Sequence, residues 1–153
     1  MGLSPKKKVK LLRISQELKN NLLRELEFVI LKMREEQDII RKIYFFSAAY
    51  GAVERTVRLS LDNELIMAHA ILTICYNSLN DRINRLKAGE TIIPISQALF
   101  DQLTNDLSDF RQAIEENTSV YPSLEAMMRL TYATTGPGFY TQAYLDYVNS
   151  HPT

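Results

Sequence analysis

Cysteine is almost missing from this chain. Cys75 stands alone, so no disulfide framework can form within the chain, and a reducing, cytoplasmic setting is expected. Histidine is nearly as scarce. Only His69 and His151 are present, and no Glu-x-x-His spacing occurs, which excludes a carboxylate-bridged di-iron bundle and a structural zinc site; neither metal nor cofactor is expected. Five Gly and five Pro in 153 residues leave few turns, so the elements must be long and regular. The longest nearly apolar run, Leu65 to Tyr76, is too short to span a bilayer, and the basic start lacks the apolar block of a secretory signal. The reading is a soluble protein without a membrane partner.

Acidic residues are absent from positions 1–13, which carry five cations together with Gly2 and Pro5. These residues read as a basic flexible head, and residues 14–153 as a single helical-bundle domain, long enough to bury a core. The net charge of zero conceals an asymmetry: residues 1–87 sum to +6 and residues 88–153 to −6. Pairing of basic with acidic helices inside the fold or a dimer is the plainer consequence. A cationic surface that meets an anion is the sharper one.

What the chain does possess is apolar periodicity. One line runs Leu22, Val29, Glu36, Ile43, Tyr50, Val57 and another Leu26, Met33, Ile40, Ser47, Glu54, in a single heptad register. No Gly or Pro interrupts residues 6–50, so a helix from Ile14 or Ser15 to about Leu59 is predicted, a rod of about 65–70 Å unless it kinks near Glu35 to Asp38. Asp62 or Ser60 caps the next helix, Asn63 to Lys87, which Gly89 stops. Glu90 to Ile95 reads as a packed crossover, because Pro94 disfavours helix at Ile93. Ser96 then caps a helix to about Glu116, and Ser123 to about Thr134 forms another that Gly136-Pro137-Gly138 breaks. A last short helix, about Thr141 to Asn149, closes the chain. The fold class is all-α: a mainly antiparallel four-helix bundle with a long N-terminal helix and one or two short C-terminal helices.

Chemistry is harder to find. In a hairpin turning at Leu61, Glu54 falls level with His69, and a carboxylate beside an imidazole is the minimum for acid–base work; the same pair serves as a buried register-fixing contact. Arg41, Lys42, Arg82 and Arg85 gather at the far end of that hairpin, where phosphate or a nucleic-acid backbone would suit them. Glu35-x-x-Asp38 resembles half of the magnesium site of all-helical nucleotide pyrophosphohydrolases, but the companion carboxylate pairs are missing. No family is recognised.

The leading expectation is a non-enzymatic interaction or scaffold protein that self-associates, a homodimer being favoured and another protein partner compatible. Its interface would be Leu22, Leu26, Val29, Met33, Ile40 and Ile43, joined by the stripe Tyr140, Tyr144 and Tyr147, since Tyr suits surfaces with one wet end. The alternatives are a small-molecule-binding bundle or enzyme using Glu54 and His69, and a nucleic-acid or other polyanion binder using the basic N-terminal half.

Overall fold

The computed structural model describes residues 14–89 and 95–139, with side chains to Thr131, and also Tyr147, Ser150 and His151. Among the described residues the fold is all-α, with five helices and no strand: α1 (Gln16–Glu35), α2 (Ile39–Ser60), α3 (Asn63–Lys87), α4 (Gln97–Glu115) and α5 (Tyr121–Phe139). Of the sequence-predicted crossover, Glu90 to Ile95, only Ile95 is described, and it is buried; of the last helix, about Thr141 to Asn149, only Tyr147 is described, and it is helical.

Side-chain caps define the starts of four helices. Ser15, Asp38, Asp62 and Ser96 each accept the backbone N–H three residues on, the contact that relieves an orphan donor of the first turn. Leu61 takes a left-handed conformation, φ 55°, which ends α2 and delivers Asp62 directly to its capping position on α3. Asn117, φ 58°, ends α4 in the same way, with the Thr118 N–H donating to the Ala113 carbonyl.

The predicted continuous rod does not form. Glu36 leaves the helix with extended geometry, φ −74° and ψ 137°, and Asp38 starts a new one. The Glu36 carboxylate accepts from the Asp38 N–H at 3.2 Å and from Arg41 Nε at 3.0 Å, while Asp38 accepts from the Arg41 N–H at 3.2 Å. The two carboxylates offer local backbone N–H groups an alternative to the helical ladder, Asp38 as the short side chain suited to a cap, and the corner follows. Beyond it, α2 folds back onto α1: Lys42 Nζ donates to the Met33 carbonyl, Phe45 meets Phe28, and Arg55 pairs with Glu25.

Folding back changes the fate of the seam. Leu22, Leu26, Val29, Met33 and Ile43 are buried within the chain's own core, so they are not available to a second copy. Only Ile40, of the six seam residues assigned to an interface, stays exposed. The main helix pairs are α1–α2, α2–α3, α3–α5, α5–α4 and α4–α1, a closed circuit around Phe46, Phe100, Phe110, Leu65, Leu72 and Leu107. A second difference lies in α5, whose helix runs across Gly136-Pro137-Gly138 to Phe139. Proline's fixed φ is close to the helical value, and near a helix end its missing N–H removes a single ladder bond.

Two of the buried charged side chains, Lys42 and Asp106, bear on stability in opposite senses. Lys42 is 2% exposed, and its ammonium covers one of the carbonyls that the end of α1 leaves without a helical partner. Lys42→Met keeps the volume but orphans that carbonyl, so the urea unfolding midpoint should fall by the equivalent of about 1–3 kcal/mol.

Asp106 on α4 is 4% exposed and accepts from Gln102 Nε2 at 3.0 Å. Burial raises its pKa above 3.8, and the Asp109 carboxylate adds to the rise. A carboxyl with the higher pKa in the folded state binds protons more readily there, so stability declines as pH climbs from about 3.8 through the raised value. Asp106→Asn should therefore melt above the parent protein at pH 7, with the gap closing as the pH is lowered towards 4.

Candidate functional site

The feature with most chemical content is a band of aromatic and aliphatic side chains across α1, α2 and α3. Phe28 of α1 meets Phe45 of α2 edge-on, with centroids 6.4 Å apart, and Tyr44 meets Phe45 in the same manner at 5.7 Å. On the other side of α2, Tyr50 lies between two rings of α3, parallel to His69 at 5.3 Å and to Tyr76 at 5.9 Å. Between these groups lies a groove of about 180 Å³ lined by Ile40, Ile43, Tyr44, Tyr76, Asn80, Ile83, Asn84 and Lys87. Large apolar side chains stand open to solvent along the band: Phe28 is 51% exposed, Leu31 50%, Ile40 45% and Tyr44 70%.

The pair predicted between Glu54 and His69 does not form a hydrogen bond. Glu54 sits one turn beyond Tyr50 and its Oε2 accepts from Arg58 Nη2 at 2.8 Å, a bond that holds the carboxyl below its usual range; the nearby His69 contributes less. His69 stacks on Tyr50 instead, and its Nε2 is buried with no hydrogen-bond partner. No hydrogen bond joins the carboxylate to the imidazole, the contact through which it would orient the ring for acid–base work.

The four cations assigned to anion binding are separately engaged. Arg41 pairs with Glu36 at 3.0 Å and Arg85 with Asp81 at 3.9 Å. Lys42 is buried against the end of α1, and Arg82 is also buried, where desolvation lowers its pKa. Two of the four thus face the interior. Tyr140 and Tyr144 lie outside the described residues, while Tyr147 is exposed and stacks on His151 with centroids 4.2 Å apart.

Cys75 is no nucleophile in this setting. It is buried, it accepts from Thr131 Oγ1 at 3.2 Å, and burial pushes its thiol up to about 11, far from the thiolate form at neutral pH. Among the described residues no group of three or more His, Cys, Asp or Glu side chains could hold a metal ion.

Heptad reasoning overlooked Phe28, Leu31 and Tyr44 because they fall off its two lines. The signal for α2 was present in the spacing of Ile40, Tyr44 and Ala48, an i, i+4, i+8 stripe on one helical face.

The unpaired His69 nitrogen has a measurable consequence. His69→Phe keeps a ring against Tyr50 and deletes a buried polar atom whose burial costs about 1–3 kcal/mol, so it should melt no lower than the parent protein, whereas His69→Ala, which loses the stack, should melt lower.

No protein-family model, no curated protein and no solved structure matches this chain.

Proposed function

We propose that this protein is a non-enzymatic interaction or scaffold protein that self-associates, with a homodimer as the basic unit and the aromatic band as its contact surface. The observation that carries this reading is the exposure of Phe28, Leu31, Ile40 and Tyr44 on one connected face. Monomers rarely leave extended apolar patches in water, and aromatic side chains are enriched at the centres of protein interfaces. The earlier candidates on the heptad seam are thereby replaced, and Ile40 is retained.

The same proposal includes a mainly antiparallel packing of the helices, with α1 to α4 as the principal bundle and α5 closing the circuit, and a cytoplasmic setting suited to an unpaired thiol. No helix among the described residues is long and apolar enough to cross a membrane. The reading of Glu54 and His69 as a reactive pair draws no support from the Arg58 contact, and the reading as a polyanion binder draws none from the engaged state of Arg41, Lys42 and Arg85.

Sedimentation velocity over a concentration series tests the reading. The parent protein should run as a dimer, and Phe28→Ser with Tyr44→Ser should weaken association by tenfold or more, as loss of buried aromatic anchors does, with the helical circular dichroism unchanged. A parent protein that stays monomeric up to about 100 μM, where even a weak micromolar dimer would be populated, would refute it.

A further inference from the structure

Independently of the aromatic band, we infer that residues 1–13, the basic segment that precedes Ile14, lie as a strap across α4 of their own chain, with a cationic side chain in the groove between α4 and α5. That groove, of about 180 Å³, is lined by Asp109, Ala113, Ser119, Pro122, Ser123 and Ala126. It is smaller than the roughly 300–1,000 Å³ typical of small-molecule pockets. Short apolar side chains beside a single carboxylate suit a lysine or arginine, whose stem packs on apolar atoms while its charge reaches past them.

Charge favours this occupant. Residues 1–13 hold five cations and no acid, and residues 97–116, α4 with its C-cap, hold five carboxylates and one cation. Most of the asymmetry between the two halves of the chain therefore resides in these two segments. Asp109 is exposed and makes no hydrogen bond or ion pair among the described residues, while the exposed Asp101 and Glu116 accept from the neutral amides of Gln97 and Gln112. The cations already nearby are committed elsewhere: Lys19 to the Glu115 carbonyl and Asn117, Arg111 to the Leu23 carbonyl, Glu27 and Glu115, and Arg129 of α5 to Glu125. The Asp109 carboxylate also repels that of the buried Asp106, so a cation in the groove relieves an unfavourable contact.

The segment joins the fold beside this groove. Lys19 reaches the Glu115 carbonyl, and one turn further along α1 the Leu23 carbonyl is reached by Arg111, one turn further back along α4. Continued by a turn in the other direction, this register brings Ser15 level with Ser119, at the end of the groove. From Ser119 back to Asp109 is about 15 Å at the helical rise, whereas residues 1–13 can extend to about 45 Å. Ile14 is buried, which fixes the point from which they reach.

A spin label on the full chain tests the strap. Ser4→Cys supplies a thiol within the segment, while the buried Cys75 resists labelling. A nitroxide at position 4 should weaken the NMR amide signals of Asp109, Ala113, Ser123 and Ala126 by about twofold or more, since a tethered segment meets its groove at about millimolar effective concentration. Leu59 and Leu61 are the control: Leu59 shares a cleft with Leu18, near the start of α1, so a segment with no preferred seat would reach them equally. Their signals should be unaffected. The weakening should vanish in about 1 M salt, where the screening length is about 3 Å, and in the double variant Asp109→Asn with Glu116→Gln. Should that variant fail to fold, Lys7→Glu with Lys8→Glu makes the same test from the side of the segment. No effect at the groove, an equal effect at Leu59 and Leu61, or an effect indifferent to salt and charge would each overturn the strap. Weakening of the four groove signals of an isotope-labelled parent chain by a separate nitroxide-bearing chain would assign the groove to the segment of a second copy, and would overturn it too.

Discussion

The fold depends on the corner at Glu36, Gln37 and Asp38. A helix carrying apolar residues in a heptad register from Leu22 to Val57 has two ways to cover them: pairing with another chain, or turning back on itself. The carboxylates of Glu36 and Asp38 decide in favour of the turn, by accepting the Asp38 and Arg41 N–H groups and the Arg41 guanidinium. Lys42 secures the result from inside, since its ammonium reaches the Met33 carbonyl at the end of the helix just completed. An ammonium is costly to bury, and an uncapped carbonyl is costly as well; each offsets the other. Once the corner is made, the seam residues Leu22, Leu26, Val29 and Met33 belong to the interior of one chain.

The remaining helices are tied in by the same physical device, a charged side chain placed at a distant helix end. Lys19 of α1 donates to the Glu115 carbonyl at 3.3 Å and to Asn117 Oδ1 at 3.0 Å, where α4 ends. The Glu64 carboxylate of α3 accepts the Val120 N–H at 2.9 Å, where α5 begins. A further tie is made in mid-helix, where Arg111 of α4 returns to α1, donating to the Leu23 carbonyl at 2.9 Å and pairing with Glu27 at 3.5 Å. Cations at C-termini and a carboxylate at an N-terminus are the arrangement the helix dipole favours. The charge asymmetry of the sequence does not govern these links. In the pair of Arg111 with Glu27 the cation comes from the acidic half and the carboxylate from the basic half.

Much of this was legible in the residues. Helix type followed from the apolar period, and the caps Asp62 and Ser96 and the stop at Gly89 were readable because each is a local device, complete within four residues. The corner was marked too, by a Glu on a core line of the heptad and an Asp two residues later, but periodicity could not rank a kinked helix above a straight one. That ranking depends on Lys42 reaching Met33, a contact that exists only once the chain has folded back. The site was less legible for the same reason. Glu54 and Arg58 are one turn apart, and a local i, i+4 ion pair forms without waiting for α3, so it takes the carboxylate that a hairpin model assigns to His69. His69 is left with the Tyr50 face, an outcome that position along the hairpin could not distinguish from a carboxylate partner.

Burial of the seam and exposure of the band are two consequences of one constraint. A helix in a closed circuit of five presents its neighbours with the faces that meet them, and α2 contacts α1 on one side and α3 on the other. Ile43, Phe46, Ala49 and Val53 point into the core, and among the described residues no helix covers the opposite stripe of Ile40, Tyr44 and Ala48. Phe28 and Leu31 are turned outward on α1 for the same reason, since the α1 face nearest the core is already filled by Leu22, Leu26, Val29 and Met33. Contacts within the chain, such as Phe28 on Phe45, cover these side chains only in part, and an interface would cover the rest.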